Sequence, residues 1–344
     1  MQYHTLPHTS LDVSKICLGT MTYGQQNTEA EAHEQLALAT DLGVNFIDTA
    51  EMYAVPTTPE TQGLTESYIG TWLKKSGQRD KRIIATKVAG PRGVPYIREN
   101  MSLDRRNIRQ AVEDSLARLQ TDYIDLYQVH WPQRHVNSFG QLNYQHEDEN
   151  SGVSILETLD ALTELVREGK IRYIGVSNET PWGVMNYLKL AEKHNLSRIV
   201  SIQNPYNLLN RSFEVGLSEI SHHEGVELLA YSPLAFGALT GKYLDGARPD
   251  GARCTRWSRF SRYFTEQGQA ATRAYVDLAH EYSLDPAQMA LAFVNGRSFV
   301  GSNIIGATTL EQLKTNIESI DVQLPEALLT RIEEIGATYS NPCP

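Results

Sequence analysis

Along most of the chain, short runs of apolar residues alternate with windows in which apolar positions recur every three or four residues. The runs are ICLG (16–19), VNFID (44–48), RIIATK (82–87), IDLYQVH (124–130), IRYIGVS (171–177), IVSIQN (199–204), VELLAYS (226–232) and NIIGAT (303–308). Each is nearly all apolar rather than alternating, the pattern of parallel strands buried on both faces. The windows 29–42, 64–75, 106–119, 154–167, 181–194, 212–223, 268–282 and 309–318 read as helices. In 106–119, for example, Ile108, Val112, Ser115, Leu116 and Leu119 share one face. SLDRRN offers Ser102 or Asp104 as the helix start before that window. Eight strands, each followed by a helix, predict an α/β fold of the (β/α)8 TIM-barrel type.

Two pieces decorate this barrel. An N-terminal hairpin around TLPHTSLDVSK (5–15) is expected to cap the barrel bottom. An additional C-terminal helix, PEALLTRIEEIG, runs to Gly336, with PCP expected as a frayed end. An open doubly wound sheet would need a glycine-rich phosphate loop after its first strand, and no GxGxxG occurs. GALTGK (237–242) is one residue too short between its glycines to be a P-loop. No low-complexity linker divides the chain, so one domain over 1–344 is expected. Three loops after strands are long: 88–103, 131–153 and 232–267. They would rise from the C-terminal face, where barrel enzymes keep their sites.

Charge and cysteine usage narrow the function. A net charge of −10 disfavours nucleic acid and anionic lipid as partners. No apolar run is long enough to span a membrane and no signal-peptide core opens the chain. Three scattered cysteines, Cys17, Cys254 and Cys343, exclude a disulfide framework and a CxxC metal site, so a reducing cytoplasm is expected. One local exception to the acidity stands out. Arg248, Arg253, Arg256, Arg259 and Arg262 cluster in GARPDGARCTRWSRFSRY, either as a site for a small anion or as a solvated loop with salt bridges.

The chemistry is expected where apolar runs end in polar residues. Strand two ends in Asp48, with Tyr53 a turn later, strand three in Lys87 and strand four in His130. Adjacent strand ends lie about 5 Å apart, so these four should converge. A lysine ammonium lowers the pKa of a neighbouring phenol, and a carboxylate keeps a buried lysine charged. A histidine can orient a carbonyl oxygen or pass on a proton. The set suits protonating an oxygen while hydride, which no side chain supplies, arrives from a nicotinamide. Each residue also has a plainer reading: Asp48 as a helix cap, Tyr53 as packing, Lys87 as a surface cation and His130 as a core histidine. Glu51 is read as positioning or solvated. A barrel glycosidase using Asp48 and Glu51 is a weaker competitor, because neighbours on one strand end do not flank a sugar bond well.

GVNFIDTAEMY, IIATK and TDYIDLYQVHWP, followed by KIRYIGVSN, SIQNPYN, LLAYSPLAFGALTGKY and IIGATTLEQLKTNIE, resemble the aldo-keto reductase family over nearly the entire chain. Within it the chain is similar to the bacterial Tas-like and potassium-channel β-subunit-like branches. The resemblance implies a catalytic tetrad at Asp48, Tyr53, Lys87 and His130, with Tyr53 as proton donor. It implies NADP(H) as cofactor and a small-molecule carbonyl as substrate. The nicotinamide would stack on Tyr231 and its carboxamide would meet Ser177, Asn178 and Gln203. The segment Ser232, Pro233, Leu234, Ala235, Phe236, Gly237, Ala238, Leu239, Thr240, Gly241 and Lys242 would form a belt over the pyrophosphate. Gly306, Thr308, Gln312 and Asn316 would hold the adenosine end. Arg259 is the arginine expected on the 2′-phosphate. Trp131, His135, Phe139, Tyr144 and His146 could line the substrate pocket, beside the acidic run EDEN. The channel-subunit branch also implies a competing reading, a binding module that reports nicotinamide redox state to a partner.

Overall fold

The computed structural model describes residues 1–146 and 152–344. The run EDEN therefore lies outside the described residues. Strands β3 (Ile16–Gly19), β4 (Phe46–Asp48), β5 (Ile83–Val88), β6 (Ile124–Val129), β7 (Ile171–Ser177), β8 (Ile199–Pro205), β9 (Glu227–Tyr231) and β10 (Val300–Ile305) close into one barrel. They are hydrogen-bonded in chain order, all parallel, with β10 returning to β3. The helices are α1 (Glu29–Asp41), α2 (Leu64–Ser76), α3 (Arg105–Leu119), α4 (Ile155–Arg167), α5 (Pro181–His194), α6 (Leu217–Glu224), α7 (Arg253–Arg256), α8 (Glu266–Glu281), α9 (Pro286–Asn295), α10 (Leu310–Glu318) and α11 (Glu326–Thr338). Side-chain caps start most of the longer ones. Thr28 and Glu31 form a reciprocal capping box on α1, and Asp104 accepts from the Asn107 amide on α3.

The barrel predicted from the apolar runs is present, with differences at particular elements. The last strand begins at Val300 rather than at residue 303, so Gly306 and Thr308 lie in the loop beyond it. The window 212–223 is divided at Gly216 into a short 3-10 turn, Ser212–Val215, and α6. Helix α9 went unread because PAQMALAFVN is buried on nearly every side, which erases the amphipathic period that reveals a helix. The PCP end is not frayed. Cys343 is buried and its amide donates to Leu209 O at 3.1 Å, while Pro342 O accepts from Thr265 Oγ1 at 3.0 Å.

The barrel interior has two layers of different character. Cys17, Phe46, Ala85, Leu126, Val200, Leu229 and Ile304 form an apolar lower layer. Strands β1 (Tyr3–Thr5) and β2 (Asp12–Ser14) pair antiparallel, and their hairpin plugs this end with Leu6, Leu11 and Val13. Two residues further along the same strands, alternation turns Asp48, Lys87, Gln128 and Gly175 inward, making the next layer polar.

Outside the barrel bottom, Asp125 holds three elements together. Its buried carboxylate accepts from Arg79 Nη2 at 2.8 Å, Arg172 Nη1 at 2.9 Å and the Ile84 amide at 2.9 Å. Both guanidinium groups also sit over the Tyr123 ring, at 3.9 and 4.2 Å from its centroid. Asp125→Ala leaves the Ile84 amide without its acceptor and removes the carboxylate partner of Arg79, which keeps Thr121 Oγ1, Arg82 O and Tyr123 O. It is expected to cost about 3 kcal/mol, read as a lower urea midpoint at neutral pH.

Candidate active site

The end of β4 presents Asp48, the interior of β5 presents Lys87, and His130 follows β6. Lys87 is wholly buried. Its Nζ donates to Asp48 Oδ2 at 2.7 Å and to Thr49 O at 2.7 Å. Tyr53 lies over this pair, with Lys87 Nζ 5.0 Å from its ring centroid. His130 meets the Tyr53 ring edge-on at 5.8 Å. The four residues expected at successive strand ends therefore do converge.

Burial and charge set their protonation. Burial lowers the Lys87 pKa, but the Asp48 carboxylate more than compensates and holds it above the ordinary value. Burial raises the Tyr53 pKa, and the nearby Lys87 ammonium offsets only part of that rise. The phenol is therefore a neutral acid at physiological pH. His130 is pushed well below its ordinary pKa, first by burial and then by Lys87, so its ring is neutral. Its Nδ1 is buried and has no hydrogen-bond partner among the described residues.

Glu51 is not solvated. It is fully buried and pairs with both terminal nitrogens of Arg98, Nη2 donating to Oε1 at 2.9 Å. Oε1 also accepts from the Ala89 amide at 2.7 Å. This pair ties the Tyr53 turn to the end of β5 and to the 88–103 loop, and it leaves Glu51 unavailable as a glycosidase carboxylate. Trp131 closes the same side. Its Nε1 donates to Pro91 O at 2.8 Å, and a side chain at Gly90 would collide with the ring, 2.4 Å from Cδ1. The indole lies 5.0 Å from His130, whereas Phe139 and Tyr144, also considered as pocket residues, are more than half exposed. His135 stacks on Tyr144, which in turn contacts His146.

The residues expected around a nicotinamide form one connected group. Asn178, in the left-handed region at φ 52°, donates from Nδ2 to His130 O at 2.9 Å and to Ser177 Oγ at 3.2 Å. Its Oδ1 accepts from Tyr231 OH at 2.7 Å. Ser177 Oγ donates to Gln203 O, and Gln203 Nε2 donates to Asp48 Oδ1 at 2.8 Å. The belt after β9 is strongly bent. Ser232, Ala235, Phe236 and Gly237 all have φ between 50° and 90°. The bends are closed by turn hydrogen bonds, the Ala235 amide donating to Ser232 O at 2.9 Å and the Gly237 amide to Leu234 O at 2.8 Å. Lys242 folds back over Gly237, where an added Cβ would sit 3.0 Å from its Nζ.

The arginine cluster is only partly solvated: Arg248, Arg256 and Arg259 are exposed, whereas Arg253 and Arg262 are half-buried. Among the described residues none of the five forms an ion pair, and each lies over an aromatic ring. Arg248 faces Phe264, Arg253 faces Phe236 and Phe260, Arg256 faces Trp257, Arg259 faces Phe260 and Arg262 faces Tyr263. Arg259, expected on the phosphate, is exposed. Arg262, half-buried, faces Tyr231 and Tyr263, and Arg253 is likewise turned inward. Burial lowers its pKa, and the groups facing it are Cys254, Tyr243 and Tyr53. Gln312 Oε1 accepts from the Thr308 amide at 3.1 Å, and Asn316 Nδ2 donates to Gly306 O at 3.2 Å, so these four shape one rim of the barrel mouth. Lys242 and Arg253, with no carboxylate partner among the described residues, a bent belt and a flat phenol at Tyr231 together fit a dinucleotide. The sequence reading held Arg253 only as one of five clustered arginines and did not single out Gln128.

A family profile described as the Aldo/keto reductase family matches residues 15–337. The chain is 63% identical to Protein tas of Escherichia coli over the full length of both. It is 34% identical to an uncharacterized oxidoreductase, YrpG, of Bacillus subtilis, covering 97% of this chain and 96% of the relative. A putative voltage-gated potassium channel subunit beta of Schizosaccharomyces pombe is 30% identical, covering 97% of this chain and 92% of that one. No helix among the described residues is long and apolar enough to cross a membrane.

The lowered His130 pKa makes stability depend on pH with a definite sign. Below about pH 6.5 the unfolded histidine takes a proton that the folded one refuses, so stability falls as pH falls, by up to about 1.4 kcal/mol per pH unit. His130→Gln should flatten this part of the profile. Urea midpoints of both proteins between about pH 5 and 7 measure the difference.

Proposed function

The chain belongs to the aldo/keto reductase family, a nicotinamide-dependent oxidoreductase family acting on small carbonyl compounds, and from that premise we propose that it reduces aldehydes or ketones to alcohols with NADPH, reversibly. The observation that carries this reading is the buried Lys87–Asp48 pair beneath a neutral Tyr53, beside a neutral His130. Bound at the barrel mouth, the reduced nicotinamide would supply hydride to the carbonyl carbon. The remaining work falls to side chains of this chain. His130 hydrogen-bonds the carbonyl oxygen and fixes its direction. Tyr53 gives its phenolic proton to that oxygen as negative charge develops there. Lys87 then faces a phenolate, and its ammonium, held charged by Asp48, stabilises it.

The cofactor would be held by the group around Tyr231. The ring offers a flat platform, while Ser177, Asn178 and Gln203 offer amide and hydroxyl partners for a carboxamide. The belt 232–242 with Lys242 would cover the pyrophosphate. Arg253, rather than the exposed Arg259, is the arginine we assign to cofactor phosphate, beside Lys242 at the pyrophosphate. Gly306, Thr308, Gln312 and Asn316 would frame the adenosine end. One functional domain over 1–344 and a cytoplasmic location complete the reading. The potassium-channel-subunit relative keeps a redox-sensing role in view, but a complete proton-donating set favours turnover.

Tyr53→Phe keeps the ring and removes the proton. It is expected to bind NADPH as the wild type does and to lose about a thousandfold in kcat for an activated aromatic aldehyde. Loss of reduced-nicotinamide absorbance measures turnover, and nicotinamide fluorescence measures binding. Full turnover by this variant would refute the assignment. Arg253→Ala should weaken NADPH and NADH alike by about tenfold, read from paired fluorescence titrations.

A further inference from the structure

One fully buried amide in the polar layer is used by none of the roles above. Gln128 lies on β6 beside Lys87, its register partner on β5. Its Nε2 donates to Asp48 Oδ1 at 3.3 Å, and its Oε1 accepts from Gln203 Nε2 at 3.3 Å. On its other side the register partner is Gly175. A Cβ there would stand 3.0 Å from Gln128 Cγ and 2.7 Å from Ser201 Oγ. Strand β7 therefore forgoes a side chain at the point where the glutamine needs the space. A core that only required filling would place an apolar residue at one or both positions.

The contacts divide the work of Asp48 between its two oxygens. Oδ2 serves Lys87, and Oδ1 serves two amides, those of Gln128 and Gln203. The carboxylate is then fixed in rotation. Gln203 is fixed as well: both acceptors of its Nε2 lie in this layer, and no described residue donates to its Oε1. We propose that Gln128 is a positioning residue for the reaction, locking Asp48 in the orientation that pairs with Lys87 and locking Gln203 with its carbonyl oxygen free to receive a carboxamide N–H. This rests on the tetrad reading given under Proposed function.

The test uses the full chain as wild type, Gln128→Leu, Gln128→Glu and Tyr53→Phe. The ionisable groups around the site are Asp48 and Lys87 in the layer, Cys17 beneath them, and Tyr53 and His130 above. Each protein is assayed for kcat, carbonyl KM and NADPH affinity across pH, with urea midpoints alongside. Gln128→Leu is expected to lose about tenfold in kcat, the size of one hydrogen bond to a charged group, and to bind NADPH several-fold more weakly, with carbonyl KM near the wild-type value. Gln128→Glu keeps a donor to Asp48 while protonated and becomes a repelling anion once ionised. Its kcat should therefore show an added ionisation, falling as pH rises, that the wild type lacks. Wild-type kcat in Gln128→Leu, or a Gln128→Glu no more active than Gln128→Leu even at low pH where its carboxylic acid can donate to Asp48, overturns the proposal and makes Gln128 a packing residue. Full turnover by Tyr53→Phe would be a separate result, overturning the tetrad reading on which it rests.

Discussion

A lysine ammonium with no solvent exposure sits at the centre of this barrel, and the upper half of the interior is arranged around it. Removing such a charge from water costs several kcal/mol, and a pair replaced by packed apolar side chains is often no less stable. The compensation here is extensive. Asp48 and Thr49 O accept from Nζ at 2.7 Å each, and the second oxygen of Asp48 is satisfied by two amides. An interior that only had to hold the barrel shut could continue the apolar layer of Phe46, Ala85, Leu126 and Leu229 upward. It instead spends folding energy on a cation placed under a phenol, which is the arrangement a proton donor needs.

A second buried pair, Glu51 with Arg98, determines where that phenol stands. Glu51 follows Asp48 by three residues and precedes Tyr53 by two, so anchoring its carboxylate fixes the turn between them. The anchors come from outside the turn: the Ala89 amide just past Lys87, and Arg98 from the next loop. Gln62 Nε2 adds a bond to Glu51 O at 2.7 Å. The tyrosine is thus set by two ion pairs, one below the barrel rim and one beside it. Residue spacing alone would leave its direction open.

These relations explain which parts were legible in the sequence. Strands buried on both faces leave apolar runs, and a polar residue ending such a run is conspicuous, so Asp48, Lys87 and His130 could be read as neighbours. Asn178, Gln203 and Tyr231 had no such signal and were found by resemblance. Gln128 was hidden by the same rule that revealed the others, because it lies within the run LYQVH and was counted as strand. Arg253 could not be distinguished from four other arginines, since an irregular segment has no period to assign a face. Its direction follows from packing between Phe236 and Phe260, one of them remote in sequence. The order of the PCP end depends likewise on Leu209, Arg262 and Thr265, all distant along the chain.

Net charge and local charge act over different distances, and that resolves the conflict between an acidic protein and an anionic cofactor. At physiological ionic strength the field of a surface charge decays over about 8 Å. The charge of −10 is therefore felt by a polyanion approaching a broad surface, while a phosphate inside the belt is governed by its nearest groups. There the cations are Lys242 and Arg253, and the groups opposing them are thiol and phenols rather than carboxylates. Stacking the remaining arginines on Trp257, Phe260, Tyr263 and Phe264 keeps the loop in shape without introducing carboxylates as partners. A salt-bridged loop would instead bring negative charge to the place proposed for a phosphate.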